Sequence, residues 1–272
     1  MKTTQRYVKS FDGMELYLKC DYPEKPKGVV VIVHGGFEHQ GRYQWVSEQL
    51  VGFGYTTYRY DNRGHGRSSG TRGYVSNYEP YLDDCNFIVE LAKSENKGLP
   101  VFTLGHSMGG FITGGYGAKY PGKVQGQIYS GPAFKPAAIT LQFVKMDIDA
   151  RGFEECLNEI SEMICSVKSI VDDYTSDPWN LHAYSLAYFI GLSQGLVWLD
   201  ENMEKNTNPF IIFHGEKDIL VPTETSEEFM RRSPANDKDL VIYKEMLHEI
   251  LNEDAVKEEI MEQMRKWMDA RI

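Results

Sequence analysis

The segment Gly105-His106-Ser107-Met108-Gly109 offers a serine as a nucleophile. It follows a short apolar run, residues 100–104, and leads into a stretch that can form a helix, so Gly-x-Ser-x-Gly falls at a strand-to-helix junction. In so tight a turn the residues two before and two after the serine must lack bulk, a condition met by Gly105 and Gly109. The following helix would aim its N-terminus at the reacting centre. A serine used for acyl transfer also needs a base to take its proton, an acid to orient that base, and N–H donors for the developing oxyanion.

In open α/β sheets such groups collect in the loops beyond the carboxyl ends of the strands. The exit after residues 29–33 is His34-Gly35-Gly36-Phe37-Glu38-His39, a loop of the HG type that supplies an oxyanion-hole N–H. Gly36 is the preferred donor, with Phe37 the neighbouring alternative; Met108, the residue after the nucleophile, supplies the second. His34, Glu38 and His39 could instead bind a metal, but their spacing matches neither H-E-x-x-H nor H-x-x-E-H. The exit Asp61-Asn62-Arg63-Gly64-His65-Gly66 reads as a tight loop with Asp61 capping backbone N–H groups, and His65 is a second candidate base. The usual order in chain, Ser, Asp, His, directs attention downstream. Residues 209–213 exit into His214-Gly215-Glu216-Lys217-Asp218, and residues 240–243 into Lys244-Glu245-Met246-Leu247-His248-Glu249. Asp218 is the better acid, since Glu216 lies too near its strand to reach back. His248 is then the base, with Asp218 fixing its tautomer.

These residues must be positioned by a sheet. Residues 4–10 and 14–22 read as a hairpin around Asp12-Gly13, and 29–33 as a β-branched run of the kind buried on both faces of a parallel sheet. Helices at 42–53, 79–93 and 108–119 alternate with strands at 55–60, 101–104 and 124–129. The rhythm stops from about 134 to 206, where no clear strand appears. There, Leu157, Ile160, Ile164, Val167 and Val171 predict a helix within 156–171, and an apolar helix is expected over 181–199. It resumes with strands at 209–213 and 240–243 and helices at 223–231 and 253–270. The pattern predicts a mostly parallel, doubly wound α/β sheet of about eight strands with a helical insertion.

Composition narrows the field. At 272 residues, 42% hydrophobic and 25% charged, the chain can bury a sizeable core. A formal charge of -10 with no basic patch argues against nucleic acid and against strongly anionic membranes, but says little about neutral lipids. The four cysteines form no C-x-x-C pair and are too few for a disulfide framework. Residues 1–10 lack an apolar targeting core, and 181–199 carries too many polar residues for a membrane span, so cytoplasmic residence is the default.

The motifs also occur together in one known group. His34-Gly35-Gly36-x-Glu38-His39-x-Gly41-Arg42-Tyr43, Asp61-x-x-Gly64-His65-Gly66-x-Ser68, Gly105-His106-Ser107-Met108-Gly109-Gly110, His214-Gly215-x-x-Asp218-x-x-Val221 and His248-Glu249-x-x-x-Glu253 span almost the whole chain. In these the chain resembles the monoacylglycerol lipase and lysophospholipase branch of the α/β-hydrolases, often grouped with serine aminopeptidase-like hydrolases. The resemblance implies an α/β-hydrolase core of residues 1–133 and 206–272 with a helical cap at 134–205. It implies a triad of Ser107, Asp218 and His248, and an oxyanion hole from the Gly36 and Met108 N–H groups. The substrate would be a lipid-like acyl ester, with no metal or organic cofactor and with contact to lipid surfaces through the cap. Leu181, Tyr184, Tyr188, Phe189, Leu192 and Trp198 would line an acyl tunnel, face a membrane or pack cap on core. An aminopeptidase of the same fold would instead recruit Glu154, Glu155, Asp172 or Asp173 to hold an α-amino group. A non-catalytic binding module is the third reading, although such proteins usually lose a triad member or an elbow glycine, and all are present here.

Overall fold

In the computed structural model, which describes residues 1–136 and 141–272, strands β1 (Lys2–Lys9) and β2 (Glu15–Tyr22) pair antiparallel across the Asp12-Gly13 turn. Then β3 (Gly28–Val33), α1 (Gln44–Gly52), β4 (Tyr55–Tyr60), α2 (Glu79–Glu95), β5 (Val101–His106), α3 (Met108–Lys119) and β6 (Gly126–Ser130) follow in alternation. The segment 134–205 contributes α4 (Ile148–Arg151), β7 (Glu155–Leu157), α5 (Ser161–Ile164), α6 (Lys168–Ser176), β8 (Ala183–Ser185) and α7 (Leu186–Asn202). The chain closes with β9 (Phe210–Gly215), α8 (Glu224–Arg232), β10 (Lys238–Tyr243) and α9 (Lys257–Asp269). Eight strands form one sheet in the order β1-β2-β4-β3-β5-β6-β9-β10, parallel from β4 onward.

Every residue of β3 is buried because both faces are covered. Val29, Val31 and Val33 pack with Leu82 and Ile88 of α2 and Phe111 of α3, while Val30 and Ile32 pack with Leu50 of α1 and Ile260 and Met264 of α9. The parallel strands therefore all present their carboxyl ends along one edge, where the candidate residues gather.

β4 is as buried as β3 although it reads YTTYRY. Its charge is matched inside the fold: Arg59 donates to Asp21 of β2 at 2.6 Å, both side chains fully buried, and Asp21 also accepts from Thr3 and Ser47. Asp21→Ala would strand the guanidinium in the core. We expect it to lower unfolding stability by about 3–5 kcal/mol in urea denaturation. A loss of less than about 1 kcal/mol would show that the pair contributes little.

The insertion departs from the sequence-based expectation. Residues 137–140 of it lie outside the described residues. It is not strand-free, since β7 and β8 pair antiparallel with Cys156 opposite Tyr184. Nor do residues 156–171 form one helix. Leu157 lies on β7 and is 66% exposed, and the chain breaks again between α5 and α6. At that break Glu253, from the loop before α9, takes the Ser166 N–H and hydroxyl that a continuing helix would leave to itself. The apolar stripe is real in its burial: Ile164 and Val171 pack with Ile160, Val167 and Tyr174. The expected apolar helix starts late, at Leu186, with Ser185 capping it by accepting from the Tyr188 N–H. Among the described residues no helix is long and apolar enough to cross a membrane.

Candidate active site

Ser107 sits between β5 and α3 with φ 53° and ψ -116°, a backbone conformation that costs a residue with a Cβ roughly 1–3 kcal/mol. Close packing around the turn enforces it. A Cβ at Gly105 would lie 2.3 Å from the Gly109 carbonyl, and one at Gly109 would lie 2.0 Å from the carbonyl of Val33 in β3. The turn thus requires glycine on both sides because the helix start is pressed against the sheet.

β9 and β10 deliver Asp218 and His248 to the same edge. Asp218 Oδ2 lies 2.6 Å from His248 Nδ1, and both side chains are buried. The rest of the carboxylate is fully used. Oδ1 accepts the Leu220 and Val221 N–H groups at 3.0 and 2.8 Å, and Oδ2 also contacts His214 Nε2 at 3.1 Å. Burial pushes the Asp218 pKa up, but the His248 charge and these hydrogen bonds outweigh it and hold the carboxyl well below its usual range. For His248 burial works against the imidazolium, and the Asp218 carboxylate overrides it, so the pKa is raised above the ordinary 6.5. Glu216, the alternative acid, is exposed and accepts from the Glu245 N–H instead.

Ser107 and His248 line one cavity of about 260 Å³ together with Gly36 and Met108. Glu38 draws in the Gly35 N–H at 2.6 Å. Among the described residues no protein acceptor takes the N–H of Gly36 or of Met108, and a Cβ on Gly36 would stand 3.9 Å from that of Met108. Two residues with unpartnered N–H groups therefore lie close together in the cavity that Ser107 lines. The arrangement can take a proton from Ser107 and stabilise a tetrahedral oxyanion.

Neither His34 nor His65 lines this cavity. His34 Nε2 accepts from the Asn62 N–H, bracing one exit loop on another. His65 is buried with Nε2 3.3 Å from the Tyr188 hydroxyl. Burial lowers the pKa of both to about 3. Asp61 accepts the Gln40 and Arg67 N–H groups, as a loop cap does. Among the described residues no group of three or more His, Cys, Asp or Glu is placed to hold a metal.

Sequence reasoning missed the polar wall of this cavity. Arg42 forms a two-pronged pair with Glu249 and also donates to Glu38, whose other oxygen accepts from Tyr43. The Tyr174 ring of α6 lies 4.9 Å over the guanidinium. The four-residue step from Glu38 to Arg42, and a carboxylate next to His248, were the available signals. Tyr174 had none, because the insertion carries no motif. The rest of the cavity has an apolar part, lined by Phe189, Leu192 and Leu196 of α7 together with Leu220 and Val221. Of the acidic residues an aminopeptidase would recruit, Glu154 pairs with Arg151 and Asp172 with Lys168 at the surface, and neither Glu155 nor Asp173 lines the cavity.

The sequence matches the family of serine aminopeptidases S33 over residues 24–255. It is 32% identical over 257 residues to a monoacylglycerol lipase of Mycolicibacterium smegmatis, covering 91% of this chain and 90% of that protein. A soluble variant of Saccharomyces cerevisiae monoglyceride lipase, solved in complex with a substrate analog, superposes with a TM-score of 0.89 at 26% identity, over 100% of this chain and 96% of that one. A monoacylglycerol lipase from Paleococcus ferrophilus superposes with a TM-score of 0.84 at 27% identity, over 95% and 100%.

Proposed function

The chain belongs to the serine aminopeptidase S33 family, and from that premise we propose that it is a serine hydrolase of carboxylic esters, acting on lipid-like acyl esters such as monoacylglycerols or lysophospholipids. The observation that carries this reading is Ser107 on its strained turn, sharing a largely apolar cavity with His248 and two unpartnered N–H groups.

In the proposed mechanism His248 Nε2 takes the Ser107 proton as Oγ attacks the ester carbonyl. The tetrahedral oxyanion is held by the Gly36 and Met108 N–H groups. His248 then protonates the leaving alcohol oxygen, leaving the acyl group on Ser107. Water attacks that acyl-enzyme, His248 takes its proton, and collapse returns the proton to Ser107 Oγ with release of the fatty acid. Asp218 stays ionised throughout and stabilises the imidazolium.

We assign residues 134–205 as a cap over a core of 1–133 and 206–272. Two hydrogen bonds support the seating: the Leu181 N–H on the Phe37 carbonyl and the Glu249 N–H on the Ile164 carbonyl. The apolar arm suits the acyl chain, and the Glu38–Arg42–Glu249 wall suits a hydroxylated alcohol. Phe153 and Leu157, 78% and 66% exposed on the cap, suit contact with a lipid surface. All four cysteines are free, as a reducing compartment such as the cytoplasm would keep them.

Ester and amide cleavage are separated by comparing a p-nitrophenyl acyl ester with an aminoacyl p-nitroanilide. We expect ester turnover to exceed amide turnover by at least about a hundredfold, since among the described residues no free carboxylate in the cavity is placed to hold an α-amino group. Faster amide turnover would reverse the assignment.

A further inference from the structure

The oxyanion hole depends on how Gly36 is held, and the cap holds the adjoining Phe37 from its own side. Phe37 has φ 65°, a left-handed conformation that a residue with a Cβ resists. Its carbonyl accepts the Leu181 N–H at 2.7 Å, and its ring packs on Tyr184 and Tyr188 with centroids 4.7 and 5.4 Å away. Tyr188 also brings its hydroxyl to this loop. That hydroxyl, fully buried on α7, lies 3.0 Å from Met108 Sδ and 3.3 Å from His65 Nε2. A Cβ built on Gly36 would stand 3.1 Å from it. One cap hydroxyl therefore touches both sides of the hole.

Its hydrogen bonding is determined by its neighbours. His65 Nδ1 sits 3.0 Å from the Arg63 carbonyl and so carries the ring proton, leaving Nε2 as an acceptor. The Tyr188 hydroxyl therefore donates to His65 or to the Met108 sulfur. The Gly35 N–H is already bound to Glu38. The next N–H, that of Gly36, has no protein acceptor among the described residues and is left for an oxyanion.

We infer that Tyr188 is a positioning residue of the oxyanion hole, its hydroxyl fixing Gly36 and Met108 against each other so that the hole is complete only when the cap is seated. The inference rests on the esterase reading. It assigns to the cap a part in transition-state binding besides shaping the substrate channel.

The test is Tyr188→Phe in the full-length protein, which deletes one oxygen and keeps the ring. On the soluble ester p-nitrophenyl butyrate, kcat should fall about tenfold, the usual effect of losing one such hydrogen bond, with KM within about twofold of wild type. A trifluoromethyl ketone of matching chain length, which forms a tetrahedral adduct with the serine, should lose affinity by the same factor. The corresponding secondary alcohol, which forms no adduct, should bind as before. An unchanged kcat, or equal weakening of ketone and alcohol, would overturn the inference, the latter because it marks a residue that only shapes the cavity. Wild-type ester turnover that survives Ser107→Ala would instead overturn the esterase assignment beneath it, so the two failures are distinct.

Discussion

Replacing Ser107 with alanine is expected to lower kcat for a p-nitrophenyl ester by roughly 10⁵–10⁶-fold, the range seen when a triad nucleophile is removed. The variant should remain folded. Among the described residues the Ser107 side chain makes no hydrogen bond, while its backbone is fixed from both sides: the N–H donates to Ser130, and the carbonyl accepts from Phe111 and Ala133. The turn therefore does not need the hydroxyl. A residual rate above that of water is expected, because the two proposed oxyanion donors and the cavity persist. Labelling by a fluorophosphonate probe should disappear in parallel. A loss of less than about a hundredfold, with the thermal midpoint unchanged, would place the nucleophile elsewhere.

Much of this site was legible because each of its residues sits at a strand exit, and strand exits leave local marks. Val29 to Val33 could only be a doubly covered strand, so His34-Gly35-Gly36 had to lie at the sheet edge. Gly105 and Gly109 mark the turn in the sequence itself, and contacts of 2.0–2.3 Å at a built Cβ show why no larger residue could stand there. The choice of Asp218 over Glu216 followed from loop reach, and the structure places Asp218 against His248 while Glu216 stays in solvent.

The insertion was not legible for a different reason. Its elements are short and fixed by partners far away in sequence. Glu155 to Leu157 becomes a strand only because Ala183 to Ser185 lies alongside. Ser166 ends a helical pattern only because Glu253 captures its N–H. No local propensity encodes either event. Tyr188 shows the same limit in the site itself. On sequence it was one aromatic of an apolar stretch, and its polar contacts with Met108 and His65 exist only once α7 lies on the core.

Asp218→Asn should cost about 10⁴-fold in kcat, and the reason lies in how completely the carboxylate is used. All four of its hydrogen-bonding positions are taken by donors: two backbone N–H groups on Oδ1 and two histidine nitrogens on Oδ2. An asparagine must turn an NH₂ toward one pair. Against the Leu220 and Val221 N–H groups it would oppose donors that cannot rearrange. Against the histidines it meets one ring, His248, that can exchange tautomers, while His214 keeps its Nε2 proton on the Val221 carbonyl, so the NH₂ settles there. His248 then carries its proton on Nε2, the nitrogen that must accept from Ser107, and the base is disabled with the fold intact. The pH profile separates this from a loose active site. In wild type the low-pH limb of kcat/KM should have its midpoint above 6.5, since activity needs neutral His248 and the Asp218 carboxylate raises its pKa. In the asparagine variant that carboxylate is gone, burial is opposed by Glu249 and Glu38 without it, and the limb should move to lower pH while the plateau drops. A plateau within about tenfold of wild type, or a limb that does not move, would show that Asp218 does not orient the base.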